Sequence, residues 1–377
     1  MGAVVVFVAA ASIILYVVLL YPMALGWYAP RATRPVQRAQ IRPSISIIVA
    51  VYNGEFFLFE KLKSILALQY PRDRMEVIVA SDGSTDQTAA IAQSFASEGV
   101  RLIQLPRGGK PAALNAAIPM ARGEILVLTD VRQVLAPDSV GLLVESFADP
   151  RVGVVSGELI IRQGATDEES SIGLYWKFES WMRDQLSNID SMFGATGPFY
   201  AIRRELAVPI PPDLLLDDVY LPLAVFFRGY RLVVDTRARA YDYPTALDTE
   251  FRRKVRTLAG NYQILLAYPA LLGPRNRMWV HFMSYKFGRL LLPWCLIAIF
   301  ISSLWLPQPW NIFMLAAQVF FYGVAGLDTL IPPRSPLKRI STPARTFVTM
   351  MIAALRGLTV FFVPARSLWK VTSTGAK

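Results

Sequence analysis

Long uncharged stretches near both ends of the chain enclose a central region in which short apolar runs alternate with mixed segments. Residues 3–26 carry no charge, and apolar segments follow at about 281–306 and 310–331. About 20 apolar residues in a helix suffice to cross the hydrocarbon core of a bilayer. The pattern therefore predicts an N-terminal transmembrane helix within 1–30 and a transmembrane hairpin over 281–331.

Two segments near the C-terminus have a less regular pattern. Residues 251–274 begin with charges and continue with apolar residues, which is typical of an amphipathic helix at the membrane surface. Residues 344–377 contain an apolar stretch over 344–363 that Arg356 interrupts, with basic residues on both sides. We favour an interfacial or re-entrant helix there, and a further spanning helix is the alternative.

The central region, 43–250, has the pattern of an α/β domain. Apolar runs of strand length occur over 45–52, 75–81, 100–106 and 124–130. Segments of helical spacing separate them, which predicts a mostly parallel sheet covered on both faces. Ligands of such sheets bind beyond the carboxyl ends of the strands. Asn53, Asp82 and Asp130 fall at such ends and are candidate ligand-binding residues.

Composition narrows the range of partners. Hydrophobic residues make up 54% of the 377 residues, and the formal net charge is +11. The basic residues cluster beside apolar segments, which favours membrane lipids and phosphorylated substrates over nucleic acid. A positive-inside bias accounts for the same charge without a binding role. Arginines follow the first apolar segment, so we expect the central region on the cytoplasmic side of an inner or plasma membrane.

The single cysteine and the single histidine exclude several reaction classes. Cys295 can form neither a disulfide within the chain nor a thiolate metal cage. His281 borders an apolar segment, where we expect a membrane interface rather than a catalytic triad.

Aspartates supply the first candidates for chemistry. Asp82 precedes Gly83, and its carboxylate can accept a hydrogen bond from a base or a ribose. Asp130 can act beside a diphosphate through a divalent cation. The alternative for each is a simple turn or capping role. Asp217 and Asp218 stand among apolar residues, where one can serve as a general base or the pair can cap a helix.

Basic residues supply the second set of candidates. Arg253 and Arg256 suit a diphosphate leaving group, and lipid headgroups are the alternative ligand. Lys110 could also reach a phosphate, although the string around it is too short for a Walker A loop.

Together these segments resemble the family 2 glycosyltransferases, in the membrane-bound branch that includes hyaluronan, chitin and cellulose synthases. The resemblance covers about 44–274 and is carried by IIVAVYNGEFFL, EVIVASDGSTDQT, RGGKPAALNAAI, EILVLTD, GATGPFYAIRREL, LLDDVYLPLAVFFRGYRLV and RRKVRTLAGN. It implies a GT-A fold, a nucleotide-diphosphate sugar donor such as a UDP-sugar, and inversion at the anomeric carbon.

The resemblance also implies roles for individual residues on the donor side. Tyr52 and Asn53 match the start of the nucleotide pocket, and Asp82 matches the contact to the base or ribose. Asp130 matches the first aspartate of the acidic motif that binds Mg²⁺ or Mn²⁺. Glu55 is left as the acid of the nucleotide pocket, because Gly54 replaces a glutamate found in many relatives.

On the acceptor side, Asp218 matches the catalytic base, and Asp217 precedes it. Gly197 and Pro198 lie where the family places an acceptor-binding loop. We expect Asp217 to bind the acceptor together with this loop.

Arg253 and Arg256 match the arginine motif near the diphosphate, with two departures from the family pattern. Thr257 replaces the tryptophan that accompanies chain extension, which puts processivity in doubt. Arg132 replaces the last carboxylate of the metal motif, and we hypothesise that it offsets diphosphate charge and weakens metal dependence.

The resemblance thus predicts an integral membrane glycosyltransferase that transfers a sugar to a hydroxyl of a glycan or lipid-linked acceptor, in polysaccharide or glycolipid synthesis. One alternative is a processive polysaccharide synthase, which would need a homo-oligomer or an assembly partner to line a translocation channel. The other is a non-catalytic subunit that binds nucleotide sugar as a scaffold.

Overall fold

A computed structural model describes residues 1–161, 167–243, 247–332 and 335–368, with side chains except those of 167–175, 247–250 and 366. The chain divides into two compact units. The sheet unit comprises Ala32–Gln163 and Ser180–Pro244. The apolar-helix unit comprises Met1–Arg31, Gly164–Glu179 and Thr245–Lys377.

The sheet unit is built on a mixed sheet of eight strands, counted over the described ranges. The strands are β1 Ile45–Val51, β2 Met75–Asp82, β3 Val100–Leu105, β4 Ile125–Asp130, β5 Val134–Leu135, β6 Val152–Ile161, β7 Phe199–Arg203 and β8 Arg231–Asp242. Their order is β3-β2-β1-β4-β7-β6-β8-β5. The first four strands pair in parallel, which confirms the prediction, whereas β7 runs antiparallel to both β4 and β6.

Helices fill the connections of the sheet unit and make up most of the other unit. They are α1 Gly2–Leu15, α2 Tyr21–Tyr28, α3 Glu55–Leu66, α4 Thr88–Ser94, α5 Lys110–Ala117, α6 Ser139–Glu145, α7 Asp167–Ile189, α8 Asp217–Phe227, α9 Leu247–Ala267, α10 Trp279–Phe282, α11 Gly288–Ser303, α12 Trp310–Leu327 and α13 Lys338–Gly357. Helices α3, α4, α5, α6 and α8 belong to the sheet unit, and α7 contributes to both.

The buried core of the sheet unit accounts for the apolar sequences of its central strands. Ile47, Ile48 and Val49 of β1 are fully buried, as are Leu126 and Val127 of β4. Central parallel strands read as continuous apolar runs because helices cover both faces of the sheet. The carboxyl ends of β1, β2 and β4 therefore lie along one edge, and the loops after them can meet there.

The apolar-helix unit contains four helical stretches that are long and apolar enough to cross a membrane, by length and composition and within the described residues. These are Gly2–Arg31, Trp279–Ser303, Trp310–Leu330 and Lys338–Phe361. The first three agree with the predicted N-terminal span and hairpin. The fourth contains residues 344–361 of the segment 344–363, for which the interfacial and the spanning alternatives both stay predictions.

Candidate active site

The loop after β1 is fastened to the loop after β2 by hydrogen bonds. Asn53 has a left-handed backbone, with φ of 46°, and its Oδ1 accepts the N–H of Thr85 at 2.9 Å. The N–H of Asn53 donates to Ser84 Oγ at 3.1 Å. Glu55 Oε2 accepts the N–H of Gln87 at 3.1 Å. Asn53 and Glu55, both predicted for the nucleotide pocket, thus connect the loop after β1 to the loop after β2.

These contacts change the start of the following helix. Helix α4 begins at Thr88, and its N-cap residue is Gln87. The carboxylate of Asp86 accepts the Thr88 N–H at 3.0 Å, while Ser84 and Thr85 bond to Asn53 instead. Ser84 and Thr85 therefore hold the loop after β1 rather than the N-terminus of α4.

Asp82 at the end of β2 organises the loop that follows β3. Its side chain is nearly fully buried, and it accepts the N–H of Gly108 at 2.6 Å and that of Gly109 at 2.9 Å. The guanidinium of Arg107 forms an ion pair with Asp82 and lies 3.7 Å from the ring centroid of Tyr52. A cation over an aromatic face is attracted by the ring. Arg107 is a site residue that the sequence reasoning missed, although it lies in the quoted RGGK string.

Lys110 follows directly after this loop, and its ammonium group lies between two predicted acids. Its Nζ is 2.9 Å from Asp130 Oδ1 and 3.2 Å from Asp217 Oδ2. Burial lowers the pKa of Lys110, but the charges of Asp130, Asp217 and Asp218 outweigh it and raise that pKa above its ordinary value. The neighbouring acids therefore favour the charged form of Lys110. The structure brings the strand-end acid and the acidic pair together through this one side chain.

The acidic pair forms the first turn of α8, where the helix dipole favours negative charge. Asp217 is buried, and among the described residues its Oδ2 accepts no hydrogen bond, although Lys110 lies within ion-pair distance. Asp218 is half-buried. Burial of an acid without full hydrogen bonding is costly, which is typical of a residue kept for chemistry.

The loop before β7 packs directly on Asp218. A Cβ added to Gly197 would lie 2.7 Å from Asp218 Oδ2, so only a glycine fits this approach without movement. The N–H of Ala195 donates to the backbone carbonyl of Asp218 at 2.7 Å. The loop that the resemblance assigns to the acceptor and the residue that it assigns as base are thus neighbours.

Pro198 connects this loop to the end of β4. Its carbonyl accepts the hydroxyl of Thr129 at 2.7 Å and the N–H of Asp130 at 3.3 Å. Lys61, a buried residue of α3, donates to Thr129 Oγ1 at 2.6 Å and to the carbonyl of Gln133 at 2.7 Å. Burial lowers the pKa of Lys61 to about 7, and the charge of Asp130 opposes that shift.

Tyr200 of β7 is a second residue that the sequence reasoning did not single out. It is fully buried, and its hydroxyl has no hydrogen-bond partner within the described part of the chain. Burial, and after it the charges of Asp217, Asp218 and Asp130, raise the pKa of Tyr200 well above its ordinary value. A neutral phenol therefore lies within electrostatic reach of all three acids.

Arg132 has a partner outside this cluster. Its guanidinium forms an ion pair with Asp242, a buried acid at the end of β8 that also accepts Gln133 Nε2 at 2.8 Å. A contact from Arg132 to a diphosphate would have to share the guanidinium with Asp242. Its proposed role in offsetting donor charge stays a prediction.

The acids fit a metal ion carried by a nucleotide better than an all-protein metal site. Within the described residues, no group of three or more His, Cys, Asp or Glu side chains could hold a metal ion. Mg²⁺ at nucleotide sites is usually bound by one or two carboxylates together with phosphate oxygens. Asp130 fits that pattern, because its side chain is 36% exposed at the end of β4.

Arg253 and Arg256 lie in α9 of the apolar-helix unit. Their spacing of three residues places them on the same side of the helix. Thr257, which replaces the tryptophan of the family motif, donates its hydroxyl to the carbonyl of Arg253 at 2.9 Å. The role of this pair at a diphosphate stays a prediction.

Part of the chain matches a known protein family. Residues 46–208 match the family described as Glycosyl transferase family 2. This part of the chain is therefore similar to the family 2 glycosyltransferases, in agreement with the resemblance that the motifs carry.

Relatives and a solved structure extend the comparison. The chain is 25% identical over 265 residues to "Probable glycosyltransferase YdaM" of Bacillus subtilis (strain 168), which covers 65% of this chain and 61% of that protein. It is 25% identical over 234 residues to "Poly-beta-1,6-N-acetyl-D-glucosamine synthase" of Staphylococcus aureus (strain COL), which covers 59% and 55%. The chain thus spans less than two thirds of the length of either relative.

The mannosyltransferase PcManGT from Pyrobaculum calidifontis, solved in complex with GDP-Man and Mn²⁺, has the same fold. Its TM-score is 0.72 at 24% sequence identity, with 95% of this chain and 96% of that chain covered. The predicted GT-A fold class is therefore confirmed.

Proposed function

We propose that the protein is an inverting glycosyltransferase that moves a sugar from a nucleotide-diphosphate donor to a hydroxyl acceptor at a membrane. The observation that carries this proposal is the cluster of Asp130, Lys110 and Asp217, with Asp218 against Gly197 beside it. Inverting transfer needs a base near the acceptor hydroxyl and charge compensation near the leaving diphosphate. The cluster supplies both within one site.

Asp218 is the proposed general base. Its carboxylate takes the proton from the acceptor hydroxyl while that oxygen attacks the anomeric carbon from the side opposite the diphosphate. The bond from the anomeric carbon to the phosphate oxygen breaks, and its electron pair leaves with the diphosphate. The new glycosidic bond therefore has the opposite anomeric configuration. Gly197 and Pro198 give the acceptor an approach to Asp218, and Asp217 holds Lys110 beside it.

Asp130 and the loop 107–109 form the proposed donor side. Asp130 would hold a Mg²⁺ or Mn²⁺ ion, which supplies positive charge to the leaving diphosphate when it is bound. Tyr52, against which Arg107 packs, would contact the base or ribose, and Asp82 would hold the loop 107–109 in place beside it.

The identities of donor and acceptor belong to the same proposal. PcManGT was solved with GDP-Man, and the staphylococcal relative is named for a polymer of N-acetylglucosamine, so both UDP- and GDP-sugars are candidate donors. The four apolar helical stretches support a membrane-bound enzyme acting on a glycan or lipid-linked acceptor. Single addition is the first candidate, because Thr257 stands in place of the motif's tryptophan. The name of the staphylococcal relative favours a processive synthase as the second.

A donor panel tests the proposal. Full-length protein purified in detergent is incubated with UDP- and GDP-sugars and Mn²⁺, and thermal stability and released nucleoside diphosphate are measured. We expect one nucleotide class to stabilise the protein, because a ligand of the native state raises its apparent stability. We also expect that class to be turned over. Binding without turnover of any donor would favour the scaffold alternative, and the size of labelled product separates single addition from polymerisation.

A further inference from the structure

We propose that the ammonium group of Lys110 is the resident cation of the acidic cluster, and that a divalent cation must compete with it for Asp130. The inference rests on the proposed function, because it takes Asp130 as the residue that holds a metal ion carried by the donor. It assigns to Lys110 a positioning role that differs from the direct phosphate contact expected from the sequence.

The contacts of Lys110 are those of an internal counter-ion. Its side chain is 19% exposed and that of Asp217 is 5% exposed, so the pair is mostly shielded from water. The ammonium lies 2.9 Å from Asp130 Oδ1 and 3.2 Å from Asp217 Oδ2. A metal ion on Asp130, whose side chain is 36% exposed, would bring a second positive charge close to the ammonium of Lys110, and like charges repel.

The backbone around Lys110 shows that the acids determine its position. Lys110 is the first residue of α5, where the helix dipole disfavours a cation. Gly109 before it has φ of 90°, and Asp82 accepts the Gly109 N–H. The loop is therefore fixed in a form that directs Lys110 toward Asp130 and Asp217, at a helix position that does not otherwise favour it.

Two other basic side chains near this site are already bound elsewhere. Arg132, which replaces an acid of the family's metal motif, pairs with Asp242. Lys61 donates to Thr129 and to the carbonyl of Gln133. Lys110 is thus the side chain whose displacement would open Asp130 to a metal ion. Lys110 would then keep its contact with Asp217.

The test is direct Mn²⁺ binding, which needs no turnover. Full-length wild type and Lys110→Met are titrated with Mn²⁺ in the presence and absence of UDP or GDP, and free Mn²⁺ is read from its EPR signal. We expect Lys110→Met to bind Mn²⁺ about tenfold more tightly, because the competing positive charge is gone. Lys110→Arg keeps the charge and should keep weak binding. Lys63→Met removes an exposed lysine and should match wild type.

Unchanged or weaker Mn²⁺ binding by Lys110→Met would overturn the proposal. If Lys110→Met loses UDP and GDP binding in EDTA while its Mn²⁺ binding is unchanged, Lys110 is a direct phosphate ligand instead. If Lys110→Met does not fold, the double variant Lys110→Met/Asp217→Asn is used, because it also removes the buried carboxylate that Lys110 would leave unpaired. The same Mn²⁺ titration of the double variant then shows whether Lys110 competes with the metal ion.

Asp130→Asn separates this proposal from the proposed function. If Asp130→Asn weakens Mn²⁺ binding but Lys110→Met does not strengthen it, only the competition is wrong. If Asp130→Asn leaves Mn²⁺ binding unchanged, Asp130 does not hold the metal ion, and both the metal role in the proposed function and the competition fail.

Discussion

Asp82 and Asp217 are both nearly fully buried and both contact the segment 107–110, yet their carboxylates are bonded in opposite ways. Asp82 accepts hydrogen bonds from Gly108 and Gly109 and pairs with Arg107. Asp217 Oδ2, as far as the described residues show, accepts no hydrogen bond and lies 3.2 Å from the ammonium of Lys110. Both acids follow an apolar run in the sequence, but their hydrogen bonding in the fold differs.

A carboxylate saturated by backbone N–H groups is part of the scaffold, because its bonds are used to fix a loop. A carboxylate buried with an unused oxygen is retained at a cost, and such groups concentrate where substrates bind. We therefore propose that the region around Asp82 is a preformed wall of the nucleotide site and that the region around Asp217 and Asp218 is the reaction centre. Both regions contact the segment 107–110.

The largest expected effect comes from the reaction centre. Asp218→Asn should keep the fold and lower the transfer rate by about 10²–10⁴-fold, because an amide cannot accept the proton of the acceptor hydroxyl. Initial rates at saturating donor measure this, with thermal stability as the check on folding. Asp73→Asn, at an exposed position of the same unit, is the matched control. Transfer by Asp218→Asn at the wild-type rate would remove Asp218 from the mechanism.

A second effect tests the contact between the loop and the base. Gly197→Ala would place a methyl group 2.7 Å from Asp218 Oδ2 and push the carboxylate from its position. We expect kcat to fall about 10- to 100-fold with donor KM near wild type, since small misplacements of a reacting group are costly. Gly323→Ala, where an added Cβ meets nothing within 4 Å, is the control. A wild-type kcat for Gly197→Ala would show that the loop does not position the base.

A third effect addresses the scaffold acid. Asp82→Ala leaves the N–H groups of Gly108 and Gly109 without their acceptor and should lower the free energy of unfolding by about 1–3 kcal/mol. Donor KM should rise more than kcat falls, because the wall of the nucleotide site loosens. Asp217→Asn should cost less stability, because it removes no hydrogen bond to Oδ2. Equal losses of stability in urea titrations of the two variants would erase the contrast between the acids.

The smallest effect is a pH dependence that comes from Lys61. Its folded-state pKa is about 7 against an ordinary value of 10.5, so between these values the unfolded chain binds more protons than the folded one. Stability of the wild type relative to Lys61→Met should therefore rise with pH in this window, by at most about 1.4 kcal/mol per pH unit. Below pH 7 both states are protonated and the slope vanishes. Lys63→Met should show no such slope, and a flat wild-type profile would mean that Lys61 is charged in the fold.

Local pattern was enough to predict the first half of the sheet. Strands β1, β2 and β4 are continuous apolar runs with polar residues at their ends, so both their existence and the placement of Asp82 and Asp130 follow from the sequence. The order of the motifs, through the resemblance to the family, predicts Asp218 as the base and the loop at Gly197 as the acceptor-binding loop. Gly197 and Asp218 are in contact in the structure, and their roles stay predictions.

The pairings inside the site could not be predicted in the same way. Arg132 and Asp242 are 110 positions apart, and nothing local to either marks them as partners. Tyr200 lies in an apolar strand and gives no polar signal. The sequence indicates that Lys110 is a candidate phosphate ligand. Its contacts with Asp130 and Asp217 depend on how β4 and α8 approach α5. Such contacts follow from tertiary structure rather than from periodicity.

The anomeric configuration of the product is the most direct measurement of the mechanism. A nucleotide sugar labelled with ¹³C at its anomeric carbon, once the donor panel has identified it, gives a product whose configuration can be read by NMR. We predict that the wild type forms only the anomer opposite to that of the donor. A product that keeps the donor's configuration would contradict single in-line attack assisted by Asp218.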